Sequence, residues 1–584
     1  MTIDFFKGED ELSIYTQLGL LPRLKTKIVF PLSYLDGQRV HMSRFPRQLK
    51  ATVWGNRLDP KEITKVRVRF GPYSKSDFNP NYKLASISIQ KDEPEPYESI
   101  QEPIVDEFGQ WKLKEWEGKI EDENELVESN QSLKQSVQSA EFPVEWSKYG
   151  GWKKLKFEST GFFRTHHDGR RWWLVDPEGY GFLSVGVDVI GKSAAGPIDG
   201  IEDLFSNLPE DVGSNIDFYQ SNMARAFGNS WQKDWEIITS GLMRKLRMNT
   251  VGNWSDLNFA KRSKIPYVLA MSGFPSTEVL LYRDLPDVFS SEYQQNSIEF
   301  ARQLEAYKND PYLIGYFLSN EPGWALGDHN LAYEMFRTNE QSKTKDEFVS
   351  WIASQYGGDI NAFNKTWNLS LEGFEELKTK VFNDYSSKKA TSDFYEFSSI
   401  IVRKYIDLPC DEIEKIDNNH LNLGMRYAWL SSELLYMAGE RFDVFSINGY
   451  GMNPPETEEI TRRSGKPVLI GEFHHGAIDR ALPATGITGV MTQQDRADAY
   501  RNYVEQGLAR PELIGMHYFQ WIDHPFTGRF DGENYNIGVV SLTNIPYPEL
   551  SEAMTLTNER IYKVGSGMIS PYKKEVQEIP TISY

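Results

Sequence analysis

Eight apolar runs that alternate with helical stretches from about residue 152 constrain the fold more than any other feature of this chain. Each run is of strand length and nearly continuous in apolar residues, which is typical of parallel strands buried on both faces. The runs cover residues 181–187, 248–254, 265–271, 313–319, 421–427, 442–448, 467–471 and 513–520. Eight strands close a barrel, so the pattern predicts an α/β fold of the (β/α)8 TIM-barrel type.

The chain has 584 residues, enough for a barrel and one smaller module. Residues 1–115 contain short alternating runs at 27–32, 49–54, 66–70 and 83–89, separated by turn-rich breaks, which predicts an N-terminal β-sandwich domain. That domain would either bind carbohydrate or buttress the rest of the chain. Residues 116–151 are polar and acidic with one helical piece, and we expect a connector packed on the barrel. The barrel itself is expected to span residues 152–584.

The composition excludes several function classes. A net charge of −19 and a pI near 5.1 argue against nucleic acid or an anionic membrane as a partner. One cysteine rules out an intramolecular disulfide, and no apolar run is long enough to span a membrane. The first residues lack a signal-peptide core, so we expect either a cytoplasmic protein or a chain whose leader has been removed. The oligomeric state is left open.

Two glutamates follow the fourth and seventh runs, at the barrel face where catalytic groups of such folds lie. Glu321 stands in Ser319-Asn320-Glu321-Pro322, and Glu472 stands in Gly471-Glu472-Phe473. Strands four and seven face each other across the barrel mouth, so the two carboxylates can flank one bond. Glycoside cleavage needs such a pair, one carboxyl to protonate the leaving oxygen and one to attack the anomeric carbon or activate water. We therefore predict that Glu321 and Glu472 are catalytic.

Other polar and aromatic residues at the strand ends are candidates for substrate binding. They are Asn253 and Trp254 after the second run, Tyr450 after the sixth, His474 after the seventh, and Gln520, Trp521, Asp523, Arg529 and Glu533 after the eighth. A loop-internal salt-bridge network is the alternative for the charged members of the last group. His474, His475, His517 and His524 lack the spacing of a metal site, and hydrolysis of this kind needs neither metal nor cofactor.

Longer segments carry a family resemblance. The Asn-Glu-Pro and Gly-Glu-Phe motifs resemble those of the clan A glycoside hydrolases, which are retaining β-glycosidases. The stretches 162–188, 471–477 and 520–535, together with 56–65 in the N-terminal region, resemble glycoside hydrolase family 50, the β-agarases. The resemblance implies that Glu321 is the acid/base, that Glu472 is the nucleophile, and that Asn320 hydrogen-bonds the substrate 2-hydroxyl. Tyr450 or His474 would orient the nucleophile.

The expected function is therefore retaining, exo-acting hydrolysis of a galactan-type, agarose-like polysaccharide or its oligosaccharides. One alternative is a β-galactosidase or another clan A exo-glycosidase that acts on a different polysaccharide. A more distant alternative is a carbohydrate-binding barrel without catalysis, although such a protein would have no reason to keep both glutamates.

Overall fold

The computed structural model describes residues 1–70, 83–91, 100, 102–208 and 213–581. Its centre is an eight-stranded parallel sheet in the circular order five, four, three, two, one, eight, seven, six. The strands are Ser184–Val187, Thr250–Val251, Tyr267–Ala270, Leu313–Phe317, Leu421–Asn422, Phe445–Asn448, Val468–Phe473 and Leu513–Tyr518. A parallel bridge between Tyr427 and Ile447 joins strands five and six and closes the barrel. Each of the eight apolar runs contributes one strand, so the predicted barrel is confirmed.

Alternation along the strands separates two apolar clusters. Val268, Ile314, Leu469 and Ile514 pack together in the barrel interior. Residues next to them in sequence, such as Leu313 and Leu513, belong to the larger cluster that also holds the helices. This two-residue period follows from the pleat of a β-strand, in which successive side chains point to opposite faces.

Gly315 shows how tightly strands four and five approach. A Cβ atom on this residue would lie 2.2 Å from the carbonyl oxygen of Leu421 on the neighbouring strand. Because that oxygen belongs to the backbone, it has no rotamer through which to move away. Only glycine fits at this point of the sheet.

Helices surround the sheet and fill the long connections. They are Glu123–Val137, Phe218–Phe227, Trp231–Lys245, Leu257–Ser263, Ser291–Ala301, Leu331–Met335, Lys343–Gln355, Ile360–Trp367, Lys388–Glu414, Glu458–Ser464, Gln493–Leu508, Pro548–Asn558 and Ile561–Gly565. Polar side chains start several of them; Thr492 and Asp495, for example, form a reciprocal capping box at one N-terminus. In the part of the chain described, no helix is both long and apolar enough to cross a membrane.

The N-terminal β-sandwich domain is represented by a four-stranded antiparallel sheet. Its strands are Gln48–Gly55, Glu11–Leu20, Thr2–Lys7 and Ile63–Arg69, in that spatial order. The sequence pattern located the strands at 48–55 and 63–69 but not the other two. It also suggested strands near 27–32 and 83–89, where the chain forms none. Pro31 has no amide hydrogen to give to a neighbouring strand, which disfavours pairing there.

A second four-stranded antiparallel sheet leads into the first barrel strand. It consists of Trp152–Lys156, Tyr180–Phe182, Trp172–Val175 and Arg164–His167 in spatial order. Leu174 and Phe182 of this sheet join the interior cluster of the barrel, so the sheet covers the end at which the barrel strands begin. The opposite end, where the strands finish, is left for the site.

We propose the division into residues 1–115, 116–151 and 152–584, because the middle segment packs on the barrel. Within its helix Glu123–Val137, the Asn130 amide donates to the carbonyl of Thr543 at 3.1 Å. The Lys134 ammonium lies 2.6 Å from Oδ1 of Asp234 on a barrel helix.

Candidate active site

Glu321 sits just beyond the fourth barrel strand in a left-handed backbone conformation, with φ of 46°. Its amide donates to the carbonyl of Arg426 at 3.2 Å, which ties this turn to the fifth strand. Oε1 of its carboxyl accepts a hydrogen bond from Nδ2 of Asn448, 2.7 Å away at the end of strand six. Left-handed geometry is uncommon for a residue with a Cβ, and such residues cluster at functional sites.

Burial raises the pKa of Glu321 to about 7, and the negative charge of Glu472 adds to the rise. The hydrogen bond from Asn448 and the positive charge of Lys50 act in the opposite direction. A carboxyl with this pKa holds its proton at weakly acidic pH, as a general acid must.

Glu472 lies inside the seventh barrel strand, and only 5% of its surface is exposed. The hydroxyl of Tyr450 donates to Oε2 of its carboxylate. The guanidinium of Arg426 approaches Oε1, with Nη2 3.2 Å away. Oε2 is therefore hydrogen-bonded, whereas Oε1 faces a positive charge without a hydrogen bond of its own from the described residues.

Arg426 links Glu472 to a second buried carboxylate. Its Nη2 is 2.7 Å from Oδ2 of Asp188, at the end of the first strand, and both side chains are fully buried. Burial raises the pKa of Asp188 to about 7, while the positive charge of Arg426 opposes the rise. Gly471 makes room for the guanidinium, because a Cβ there would lie 2.3 Å from Nε of Arg426.

The sequence interpretation missed Arg426, Asp188 and Asn448 as site residues. The available signal was position, because Asn448 ends an apolar run, Asp188 follows one, and Arg426 lies one residue before the end of another. An arginine inside a run such as 421–427 is costly to bury unless carboxylates accompany it.

Trp254 presents an aromatic surface beside this cluster. The guanidinium carbon of Arg426 lies 4.4 Å from the centre of the Trp254 ring. The ring of Phe519 meets it edge to face at 6.1 Å. Despite these contacts, 44% of Trp254 remains exposed, so part of its surface is open to a ligand.

Several buried polar atoms at the strand ends have no hydrogen-bond partner within the described residues. Among them are Nδ2 and Oδ1 of Asn253, Oδ1 of Asn448, Nδ1 of His474, Oε1 of Gln520 and Nε1 of Trp521. Buried polar groups are normally paired, so such a concentration requires an explanation. Both donors and acceptors occur in the set, and a ligand rich in hydroxyl groups could satisfy both.

His474 is a neutral donor within this set. Burial lowers its pKa well below the usual value, so the ring is uncharged. Nε2 accepts a hydrogen bond from the amide of Ile487 at 2.9 Å, which leaves the ring proton on Nδ1. The His474 ring packs against the Tyr450 ring, with ring centres 4.7 Å apart. Tyr450, rather than His474, contacts the Glu472 carboxylate.

The charged residues after strand eight bond to the protein itself. Oδ1 of Asp523 accepts from the amide of Gly538 at 2.7 Å, and Oδ2 accepts from Asn536 and Tyr547. Arg529 lies 2.7 Å from Oε2 of Glu533. These contacts match the alternative of a loop-internal network, and substrate binding by Asp523, Arg529 and Glu533 stays a prediction.

The N-terminal sheet contacts the barrel mouth at three loops. Nζ of Lys50 is 2.5 Å from Oε1 of Glu533, and Arg44 donates to the carbonyls of residues 527–529 in the same loop. The amide of Arg283, after strand three, donates to Gln38 at 3.1 Å. The Trp54 ring lies 6.3 Å from that of Trp429, after strand five. The sheet therefore forms a wall beside the strand ends.

In the described part of the chain, no three His, Cys, Asp or Glu side chains form a group that could hold a metal ion. The buried cysteine, Cys410, lies in helix Lys388–Glu414 and contacts Asn422.

Comparisons with known proteins place the chain in a family. A family model described as beta-galactosidase, glycoside hydrolase family 42, matches residues 265–481. The structure of PfGH50B is 30% identical, with a TM-score of 0.73, and the match covers 79% of this chain and 75% of that one. The chain belongs to glycoside hydrolase family 50.

Three other comparisons agree with the family 50 membership. An exo-beta-agarase structure is 27% identical with a TM-score of 0.74, over 80% of this chain and 74% of that chain. Beta-agarase B of Vibrio sp. (strain JT0107) is 31% identical over 579 residues, which is 87% of this chain and 59% of that protein. Beta-agarase A of the same strain is 26% identical, over 97% of this chain and 62% of that protein. The chain thus spans about three fifths of the length of these two relatives.

Proposed function

We propose that this family 50 chain is a retaining β-glycoside hydrolase that cleaves an agarose-like galactan or its oligosaccharides. The observation that carries the proposal is the carboxyl pair on strands four and seven. Glu321 holds its proton near neutral pH, whereas Glu472 is held by an arginine and a tyrosine. A glycosidase needs this difference between its two carboxyls.

In the first step, Glu321 donates its proton to the glycosidic oxygen and Glu472 attacks the anomeric carbon. The C–O bond to the leaving sugar breaks, and a glycosyl ester forms on Glu472. The ester carries no negative charge, so it no longer raises the pKa of Glu321. In the second step, Glu321 can therefore take a proton from water, which attacks the anomeric carbon and releases Glu472.

The surrounding residues would bind the sugar. Asn320 would hydrogen-bond the 2-hydroxyl. Nδ2 of Asn448 contacts both residues of this motif, with Oδ1 of Asn320 at 3.4 Å and Oε1 of Glu321 at 2.7 Å. Trp254 offers an aromatic surface for a pyranose ring. Asn253, His474, Gln520 and Trp521 supply the unpaired donors and acceptors described above.

The substrate class follows from the relatives, whose names are beta-agarase A, beta-agarase B and exo-beta-agarase. Exo action is supported by the N-terminal sheet, because its contacts with three mouth loops restrict the approach of a chain from that side. A digestion panel of agarose, porphyran, carrageenan and plant β-glycans, with product sizing, tests both points. We expect agarose to give a single short product from the start of the reaction. A broad ladder of sizes contradicts exo action, and cleavage of plant β-glycans alone contradicts the substrate.

Two substitutions test the catalytic roles. Glu472→Gln should abolish turnover and leave sugar binding nearly intact; near-normal activity would refute the nucleophile assignment. Glu321→Ala should lose most activity on substrates with poor leaving groups, and azide should restore cleavage of activated ones with a β-azide product. An α-azide product, or no rescue, contradicts the acid/base role.

A second candidate is a β-galactosidase or another clan A exo-glycosidase, and the beta-galactosidase family model over residues 265–481 favours it. Release of galactose from aryl β-galactosides and lactose, without cleavage of agarose, would select this candidate. Sugar binding without any cleavage would select a non-catalytic barrel.

A further inference from the structure

A cavity of about 330 Å³ lies outside the carboxyl cluster. Three segments form its walls: residues 109–118 before the connector helix, residues 480–482 after strand seven, and residues 541–549 after strand eight. Glu321, Glu472 and the side chains that contact them are not among the residues that line it. The cavity is therefore a feature distinct from the proposed cleavage site.

Three aromatic rings contribute to the walls. Trp111, Trp116 and Tyr547 line the cavity together with apolar residues such as Leu542 and Pro546. Trp111 packs on Phe526 with ring centres 5.6 Å apart, and Nζ of Lys119 lies 5.0 Å from the Trp116 ring. These contacts hold both indoles in place without a ligand.

The polar groups of the walls suit an uncharged, hydroxyl-rich ligand. Arg480 is the one cationic side chain among the described lining residues, and Glu549 neutralises it through two contacts, at 2.6 and 3.3 Å. About a fifth of each of these two side chains is exposed, so their remaining hydrogen-bonding capacity is accessible. Asp523 and Glu117 add carboxylates to the walls, which disfavours an anionic ligand.

Two neighbouring lysines do not line the cavity and donate to other groups of the protein. Nζ of Lys114 donates to the carbonyl of Ile478 at 2.5 Å. Nζ of Lys119 donates to the carbonyl of Lys114 at 2.8 Å and to Glu115 at 2.9 Å.

We propose that this cavity is a second saccharide site, which binds one or two neutral pyranose units of the polysaccharide. Its volume is near the lower limit of about 300 Å³ for small-molecule sites, which fits a short saccharide rather than a long chain segment. Aromatic faces with a few polar groups at the edge are what pyranose recognition requires. The nature of the sugar rests on the proposed function, whereas the existence of the site does not.

A second site would act as an anchor for the polymer. Asp523 in its wall follows Gln520 by three residues, so one loop borders both the cavity and the strand ends of the cleavage site. A chain held at both places would remain bound between cleavage events, and the effective concentration of its ends would rise. Short oligosaccharides, which cannot reach both places, would gain nothing.

Binding is tested with the Glu472→Gln protein, so that the ligand is not consumed. Isothermal titration with neoagarotetraose should show two sites, and adding Trp116→Ala should weaken one of them about tenfold and leave the other unchanged. Trp231→Ala, at a partly exposed tryptophan outside the cavity, is the matched control. Arg480→Ala is a second cavity variant in case Trp116→Ala fails to fold. A single site, or a second site that neither cavity variant weakens, overturns the proposal.

Kinetics separate anchoring from a structural effect. In the otherwise unchanged enzyme, Trp116→Ala should raise KM for agarose about threefold or more and leave kcat on agarose unchanged. It should also leave kcat/KM for neoagarotetraose unchanged. An equal loss on polymer and oligosaccharide overturns the anchor.

Failure of the proposed function is distinguishable from failure of this site. If the enzyme does not cleave agarose, titration with lactose and cellobiose on the same variants still reveals whether the cavity binds a neutral saccharide. Absence of binding for all three sugars at this cavity refutes the site irrespective of the substrate of the enzyme.

Discussion

Replacing Tyr450 by phenylalanine removes the hydroxyl that donates to Oε2 of Glu472, and leaves the ring that packs against His474. A hydrogen bond to a charged group contributes about 1.5–3 kcal/mol. In the second chemical step Glu472 regains its negative charge as the glycosyl ester breaks. Loss of the Tyr450 hydroxyl therefore raises the barrier of this step most. That energy corresponds to a roughly 10- to 150-fold slower second step.

The first step should suffer less, because the carboxylate loses its charge as it attacks. We therefore expect the glycosyl-enzyme of Tyr450→Phe to accumulate. Stopped-flow with a dinitrophenyl β-galactoside should show a burst of released phenolate followed by a slow steady state. Intact-protein mass spectrometry should show the added sugar, and peptide mapping should place it on Glu472.

Tyr500→Phe is the matched control for this experiment. It also deletes a buried phenol hydroxyl, one that donates to Asn558 at 3.1 Å away from the carboxyl pair. We expect it to lower the free energy of unfolding by about 1 kcal/mol and to give no burst. A Tyr450→Phe enzyme with kcat within about twofold of the wild type and no trapped ester would refute the reasoning.

Three other outcomes follow from the site. Because burial raises the pKa of Glu321 to about 7 and the acid must carry its proton, kcat/KM should fall as pH rises through about 7, measured on an oligosaccharide. Lys50→Met should lower the free energy of unfolding by about 1–3 kcal/mol at pH 7, since it removes one of two cations at Glu533. Burial raises the pKa of Glu533, but these two cations outweigh burial and hold the pKa below its usual value. The stabilisation by Lys50 is therefore present above about pH 4.5 and is lost at lower pH. Urea unfolding at two pH values should show that Lys50→Met and the wild type differ in stability only at the higher pH. Gly471→Ala should reduce kcat about tenfold or more, because the new methyl group displaces Arg426. Gly373→Ala, where a Cβ meets nothing within 4 Å, should leave kcat unchanged, and equal activities of the two variants would contradict the role of Arg426.

The barrel was predictable because its signal is local. Burial on both faces makes each parallel strand a continuous apolar run, and the polar residue after each run marks the mouth. Glu321 and Glu472 stand out for this reason. The strands Thr2–Lys7 and Glu11–Leu20 of the N-terminal sheet were missed because charged and polar residues interrupt their apolar residues.

The pairing partners could not be predicted in the same way. Arg426 meets Asp188, a residue 238 positions away, and Lys50 meets Glu533, 483 positions away. Nothing in the local sequence specifies such contacts. For the same reason the hydrogen bonds of Asp523 to Gly538, Asn536 and Tyr547 could not be predicted from the sequence.

The seam between strands five and six has a consequence for motion. Strand five pairs in register with strand four at two residues, Leu421 and Asn422. Strand six meets strand five at the bridge between Tyr427 and Ile447 and through backbone hydrogen bonds to Asn422 and Tyr427. Strands seven and eight pair in register at four residues, so the amides of this seam should exchange with solvent faster than theirs. Arg426 and Asn448 both lie on this seam and contact Glu472 and Glu321 respectively. A sugar bound between the two carboxyls would span this seam, and slower exchange of these amides would report its arrival.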